Sequence, residues 1–556
     1  MKKMTALLLI VGFLIPANLL AQSPRYLIEF SDKDTLNNPY SLENPGEFLS
    51  RKALKRRENQ NIQIVLEDLP VSENYLDSIK QAGVHIQNRS RWLNSVVAEV
   101  DSSIIDTLNN ISFIEDITFL APPKKMSKKS EKSGMQKTEI ISEFQLKKEK
   151  IDSTTYGYAK NQVLMLNGNY LHEKGYQGEG KTIAVIDAGF LMSDTISVFD
   201  NLWNNGQILG HRDFEEHGHD LYQRGNSSHG TYVLSIIGAA MPGVLYGTAP
   251  KASFWLLRSE VASSEYLVEE YNWVAAAEFA DSAGVDIINT SLGYTTFDDS
   301  SQSHAYSDMD GESTVVSKAA SIAASKGILV IASAGNKGDD PWQYISAPAD
   351  AKNILSVGAV DKYRDYASFS SVGPSSDNRI KPEVAAQGEG TFFATPDGSI
   401  AAGNGTSFAA PVVAGLSACL WQKYPDKTNY EIIDHILQSA SQFDAPDSLK
   451  GYGLPDFEKA YALGTDDFKT SKLKVYPNPF RDSFYLKLPE VSVDEENVII
   501  SLYDVTGRKI LVKNYSRDAD GSPIKINPPK TIAKGVYFLS VKYHNDYQLK
   551  VKIVKQ

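Results

Sequence analysis

Gly405-Thr406-Ser407-Phe408-Ala409-Ala410-Pro411 is the stretch on which the reading of this chain turns. Small residues flank Ser407, and an apolar, helix-forming run from Val412 to Gln422 follows it. Alone, Ser407 is an ordinary helix N-cap. Two other stretches add to it. Ile186-Asp187-Ala188-Gly189 ends a short apolar run, so its carboxylate is expected to be buried and to need a cationic or hydrogen-bonding partner. Ser228-His229-Gly230-Thr231 opens a predicted helix. A serine hydroxyl is a weak nucleophile and needs an adjacent base. The base needs a carboxylate to fix its tautomer and stabilise its cation. The three side chains run in the order Asp, His, Ser, with separations of 42 and 178 residues. An elbow of the form Gly-x-Ser-x-Gly with the serine first does not fit, because Gly405-x-Ser407-x-Ala409 comes last.

Around these blocks, residues 155–463 alternate strand and helix. Strands are predicted at Thr182 to Ile186, Ser253 to Leu257, Val285 to Ile288, Ile328 to Ala332 and Ile354 to Val360. Helices are predicted at Thr231 to Ala240, Ser264 to Ala283 and Ser317 to Ser325. Continuous apolar runs between amphipathic helices indicate an α/β fold with a parallel sheet covered on both faces. In such sheets, active residues gather at the carboxyl ends of strands.

The blocks Asp-x-Gly, His-Gly-Thr and Gly-Thr-Ser-x-Ala-x-Pro, with Ser333-Ala334-Gly335-Asn336, resemble those of subtilisin-like serine proteases, the subtilases. Val357 to Asp361 and Ser368 to Ser371 are further matches. The resemblance implies a secreted serine endopeptidase that cleaves proteins or peptides. Ser407 would be the nucleophile, His229 the base, Asp187 its orienting carboxylate and Asn336 an oxyanion donor. The Ser407 backbone N–H, at the positive end of its helix, would be the second donor. Ser291, Leu292 and Gly293 would pair with substrate backbone by strand addition, with Ala334 and Gly335 beside them. A catalytically dead adhesin on the same scaffold is the alternative, and all four functional positions are intact against it.

Some features depart from the family. Tyr232 stands where a second histidine is frequent. The loop from Ala239 to Gly247 lacks an asparagine that resembles a calcium ligand. The segment between Asp187 and His229 is long and holds His217, His219 and Asp220 near Asp213, Glu215 and Glu216. It reads as a solvated polar loop, with a metal site as the alternative. Asp308 and Asp310, near Asp298, Asp299 and Glu312, are acid-rich enough for calcium, but the full calcium-loop spacing is absent. No cofactor is required, and structural calcium is not assignable.

The flanks suggest how the protein is handled. Lys2 and Lys3, the apolar run from Ala6 to Ile15 and Ala21 read as a signal peptide over 1–21, too short to span a bilayer. Residues 22–121 form a small α+β unit that resembles a subtilase propeptide. Its strands are predicted at Arg25 to Phe30, Ile62 to Leu66 and Ser95 to Val100, with a helix at Tyr75 to Ala82. The Lys-rich linker 122–154 would carry the processing site. Residues 466–556 change to short strands and turns, a small β-sandwich with 16 basic and 11 acidic residues. Its Val475-Tyr476-Pro477-Asn478-Pro479-Phe480, Leu502 to Arg508 and Gly535 to Phe538 stretches resemble a type IX secretion C-terminal sorting domain. That implies export through the periplasm to the cell surface or medium, with the secretion machinery and the propeptide as partners. The whole chain carries −12 net charge and one cysteine, Cys419. Nucleic acid is therefore an unsuited partner, no intrachain disulfide can form, and no membrane span is read.

Overall fold

The computed structural model describes residues 23–123, 155–223, 226–261, 264–463, 474–487, 497–504, 509–516, 523–529, 532–543 and 548–556. The signal peptide, nearly all of the Lys-rich linker and the Thr506-Gly507 turn lie outside the described residues. Contacts divide the chain into two compact units, one up to Ala460 and one from Tyr461.

The first unit is built on seven parallel strands. Their order is Val384–Gln387, Leu355–Val360, Leu329–Ser333, Ile287–Thr290, Thr182–Asp187, Ser253–Arg258, Ile208–Asp213. The Thr182, Leu329 and Leu355 strands are buried throughout, as their unbroken apolar runs require. Two alanine-rich helices, Val268–Ala283 and Val315–Ser325, pack over one face with Ala184, Ile186, Ile288 and Val330 beneath them. The helices His229–Gly238 and Thr406–Lys423 pack against each other and reach the central strands. The edge strands Ile208–Asp213 and Val384–Gln387 are additions to the prediction.

Residues 25–121 fold as a four-stranded antiparallel sheet, in the order His85–Ser90, Ser95–Glu99, Arg25–Phe30, Ile114–Ala121. One face carries the Glu73–Gln81 helix over Ile28, Phe30, Val96 and Ala98. The other face sets Leu27, Val97 and Leu120 against Val268. The strand predicted at Ile62 to Leu66 is not formed. Leu66–Asp68 is instead a 3₁₀ turn, with the Val65 N–H donating to the Asp68 carboxylate at 3.0 Å and with Val65 and Leu66 exposed. Asp68 is drawn inward by Arg57 at 2.9 Å, and a strand would carry it away.

The second unit holds a three-stranded and a four-stranded antiparallel sheet. Phe484, Leu486 and Ile526 from the first meet Ile500, Leu502, Leu539, Val541 and Ile553 from the second in one core, which Phe480 joins from the segment between the first two strands. Period-two alternation along Phe484–Lys487 puts Phe484 and Leu486 inside and Tyr485 and Lys487 outside. No helix among the described residues is long and apolar enough to cross a membrane.

Candidate active site

Asp187 closes a fully buried central strand, and His229 is the first residue of its helix. The imidazole Nδ1 and the Asp187 Oδ1 lie 2.7 Å apart, and both side chains are buried. Two glycines make this approach possible. The Gly230 N–H donates to the Gly189 carbonyl at 3.0 Å, and a Cβ on Gly230 would stand 2.5 Å from that oxygen. Gly189 sits at φ +149°, where a Cβ would stand 2.9 Å from the Ser227 backbone. The Thr231 hydroxyl then ties the helix to the Leu191 carbonyl at 2.8 Å. Asp-x-Gly and His-Gly-Thr are thus one interlocked unit, and glycine is needed wherever the two backbones touch.

Burial disfavours the His229 cation, but the adjacent Asp187 carboxylate outweighs it, with a further contribution from Glu260. The imidazole therefore titrates above its ordinary value.

Ser407 is the second residue of the Thr406–Lys423 helix and is half-buried among buried neighbours. Its hydroxyl donates to the Ser291 carbonyl at 3.1 Å, and the Ser291 hydroxyl donates back to the Ser407 carbonyl at 2.9 Å. The Ser407 hydroxyl makes no hydrogen bond to His229 in this conformation, while the His229 ring lies 5.9 Å from the Phe408 ring. Such contacts are commonly loose before substrate binds.

Asn336 follows the Leu329–Ser333 strand. Its Oδ1 accepts from the Thr406 N–H at 2.8 Å and from the Thr406 hydroxyl at 2.9 Å. That pair fixes the amide plane and turns Nδ2 toward the Gly405 side, where a Cβ on Gly405 would be 3.6 Å from it. The Gly335 N–H donates to the same Thr406 oxygen at 3.1 Å. Sequence reasoning assigned no task to Thr406. Its place between Gly405 and Ser407 was the only signal available.

The expected substrate-side residues separate into two groups. Gly293 is exposed and Leu292 half-buried at the end of the Ile287–Thr290 strand. The Ser291 side chain turns to Ser407 instead. Ala334 and Gly335 use their backbones internally, with the Ala334 N–H on Val357 and the Ser371 N–H on Gly335. Tyr232 accepts from Ser228 at 2.7 Å and stacks on Phe393, away from the Asp187–His229 pair.

The acid- and histidine-rich segments have protein partners. Asp213 pairs with Arg258 at 2.8 Å and lies 3.5 Å from His219. Glu215 pairs with Arg25 at 2.9 Å, and His217 meets the Gln87 carbonyl. Asp308 and Asp310 accept backbone N–H groups of their own turns, Ala305 and then Glu312 and Ser313. Among the described residues, Glu260, Glu265 and Glu269 are the acidic group whose ligand atoms lie within 4.8 Å of one another, and they were not singled out from sequence.

Comparison with known proteins agrees with this layout. The Subtilase family matches residues 178–453, the Bacteroidota Peptidase S8 propeptide domain residues 25–137, and the secretion system C-terminal sorting domain residues 474–556. A subtilisin of Bacillus pumilus is 31% identical over 293 residues, 52% of this chain and 94% of the relative. Subtilisin NAT of Bacillus subtilis subsp. natto is 28% identical over 387 residues, 69% of this chain and 85% of the relative. Among solved structures, MycP1 from Mycobacterium smegmatis is 23% identical, with a TM-score of 0.43 over 56% of this chain and 89% of that one. The chain belongs to the subtilase family of serine endopeptidases, with an S8 propeptide before the peptidase domain and a secretion sorting domain after it.

Proposed function

We propose that this secreted or cell-surface protease hydrolyses peptide bonds through Ser407, His229, Asp187 and Asn336. The observation that carries the reading is the buried 2.7 Å contact between His229 and Asp187 at the carboxyl end of a central strand. His229 takes the Ser407 proton as the hydroxyl leaves the Ser291 carbonyl for the scissile carbon, and returns it to the leaving amine. Asp187 holds the tautomer. Asn336 Nδ2 and the Ser407 N–H receive the oxyanion, and Gly293 offers backbone to the substrate.

Residues 22–121 serve as a self-cleaved, inhibiting propeptide, and the linker 122–154 carries the cut. Residues 466–556 address the enzyme to type IX export. Calcium is not needed for the chemistry, and any structural ion has an ancillary role.

The test is labelling by a fluorophosphonate probe. Wild-type protein should label at Ser407 and mature to a shorter form. Ser407→Ala should fold, fail to label and accumulate with residues 22–121 attached. Labelling elsewhere, or normal maturation of Ser407→Ala with no other protease present, would overturn the assignment.

A further inference from the structure

The helices Val268–Ala283 and Val315–Ser325 end side by side, and their last carbonyls face residues 25–121. Helix C-termini carry unsatisfied carbonyls and partial negative charge, so two converging ends favour a cation. Arg56 fills this point. Its Nε donates to the Lys326 carbonyl at 3.1 Å, its Nη1 to the Val285 carbonyl at 2.6 Å, and its Nη2 to the Asp281 carbonyl and carboxylate. Arg57 and Arg91 reach the same carboxylate at 2.7 and 2.5 Å. Asp281 and all three arginines are buried. The planar five-donor guanidinium matches such an acceptor array; an ammonium does not.

Three of the acceptors are backbone carbonyls of the peptidase part, and the chain beside them is bonded within that part. The Val285 N–H bonds the Ala280 carbonyl, and the Asn429 side chain holds the Ala324 and Ile328 carbonyls. Bonds within the peptidase part thus surround the socket, and Gln60 of the N-terminal unit adds two more, to the Gly327 carbonyl and from the Asn429 N–H. The socket also lies away from the chemistry. Val285 precedes the Ile287–Thr290 strand, while Ser291 follows it, a separation of roughly 20 Å along extended chain.

The geometry points to a guanidinium-binding exosite on the processed enzyme, resting on the zymogen reading above. Once residues 22–121 leave, Asp281, Val285 and Lys326 receive an arginine side chain from a helical segment with adjacent arginines on a protein substrate. The Arg56-Arg57 pair of the chain's own Arg51–Asn59 helix shows the form that fits. Lys326 is the internal competitor. Its ammonium is held by Glu67 at 2.6 Å and Asp68 at 3.3 Å in the zymogen, and is released with them.

The experiment uses the enzyme that the full chain yields on self-processing, its active site blocked with a fluorophosphonate, and a labelled peptide of the sequence 50–60. Anisotropy should show saturable binding. Changing Arg56 and Arg57 of the peptide to lysine should weaken it about tenfold or more, and Asp281→Asn in the enzyme should do the same. Hydrolysis of a short substrate by unblocked enzyme should be unaffected by the peptide. The peptide-side change keeps the test decisive even where Asp281→Asn does not fold. Equal binding of the lysine peptide, or none to an enzyme shown by mass to have lost residues 22–121, overturns the exosite alone. A chain that never loses those residues overturns the zymogen reading, and the exosite with it.

Discussion

Thr406→Val keeps the shape of a fully buried side chain and removes one oxygen that makes two bonds. Asn336 loses one of the two donors that orient its amide, and the Thr406 N–H at 2.8 Å remains. Complete loss of an oxyanion donor lowers kcat by about 10²–10³. Losing one restraining hydrogen bond of about 1 kcal/mol should therefore lower kcat by about five- to tenfold. KM should stay nearly constant, because the amide acts on charge that develops in the transition state. The same change leaves the buried Gly335 N–H without its acceptor, which should lower stability by about 1–3 kcal/mol. Steady-state kinetics on a peptide substrate and denaturant unfolding read the two effects separately. Thr406→Ser restores the oxygen and should restore both. The reasoning fails if Thr406→Val leaves kcat unchanged, or if Thr406→Ser is as slow as Thr406→Val.

Asn336→Ala should lower kcat by about 10²–10³ with little change in KM, and an equal change confined to KM would remove Asn336 from the oxyanion. The acid limb of kcat/KM should lie above pH 6.5, because burial lowers the His229 value but Asp187 raises it further, and the base works only when neutral. Asp187→Asn leaves burial opposed by Glu260 without the Asp187 charge, so the limb should move below that of the parent while kcat falls by about 10⁴; an unmoved limb counts against the pairing. By linkage, a folded-state value above the unfolded one stabilises the protein fully below about pH 6.5, and this part is lost as pH rises through the folded value. Deleting residues 465–556 should preserve peptidase activity per molecule and trap the enzyme in the periplasm, as cell fractionation would show. Truncated enzyme at normal levels in the medium would rule out the sorting role.

Some elements were hidden for local reasons. Ile208–Asp213 contains Gly210 at φ +150°, packed on the Trp255 ring, and three polar or charged residues, His211, Arg212 and Asp213, end this edge strand and blur the apolar signal. Ile62 to Leu66 has strand composition, yet the buried Asp68 pulls the chain into a turn. Contacts also place residues 25–121 in the same compact unit as the peptidase part, where linker composition suggested a separate body. The Asp281 cluster joins residues 225 and 190 positions apart, and no window of sequence contains both sides.

By itself the sequence determined the parallel α/β sheet and the Asp, His, Ser order, because each rests on local periodicity or a contiguous block, while the oxyanion candidate and the three-part plan came with the family resemblance those blocks carry. Small residues at Gly189, Gly230 and Gly405 were legible as motif letters. Only tertiary structure decided what they do: it brings two backbones into contact so that Asp187 reaches His229, and sets Gly405 beside the Asn336 amide. It also decided that Ser291 faces Ser407, that Thr406 orients Asn336, and that three arginines converge on Asp281. The physical reason is range. Propensity and hydrophobic period act over one turn of helix or a few residues of strand. Hydrogen bonds to Asn336, Ser407 and Asp281 are chosen by which strand ends and helix ends the packed sheet carries to the same place.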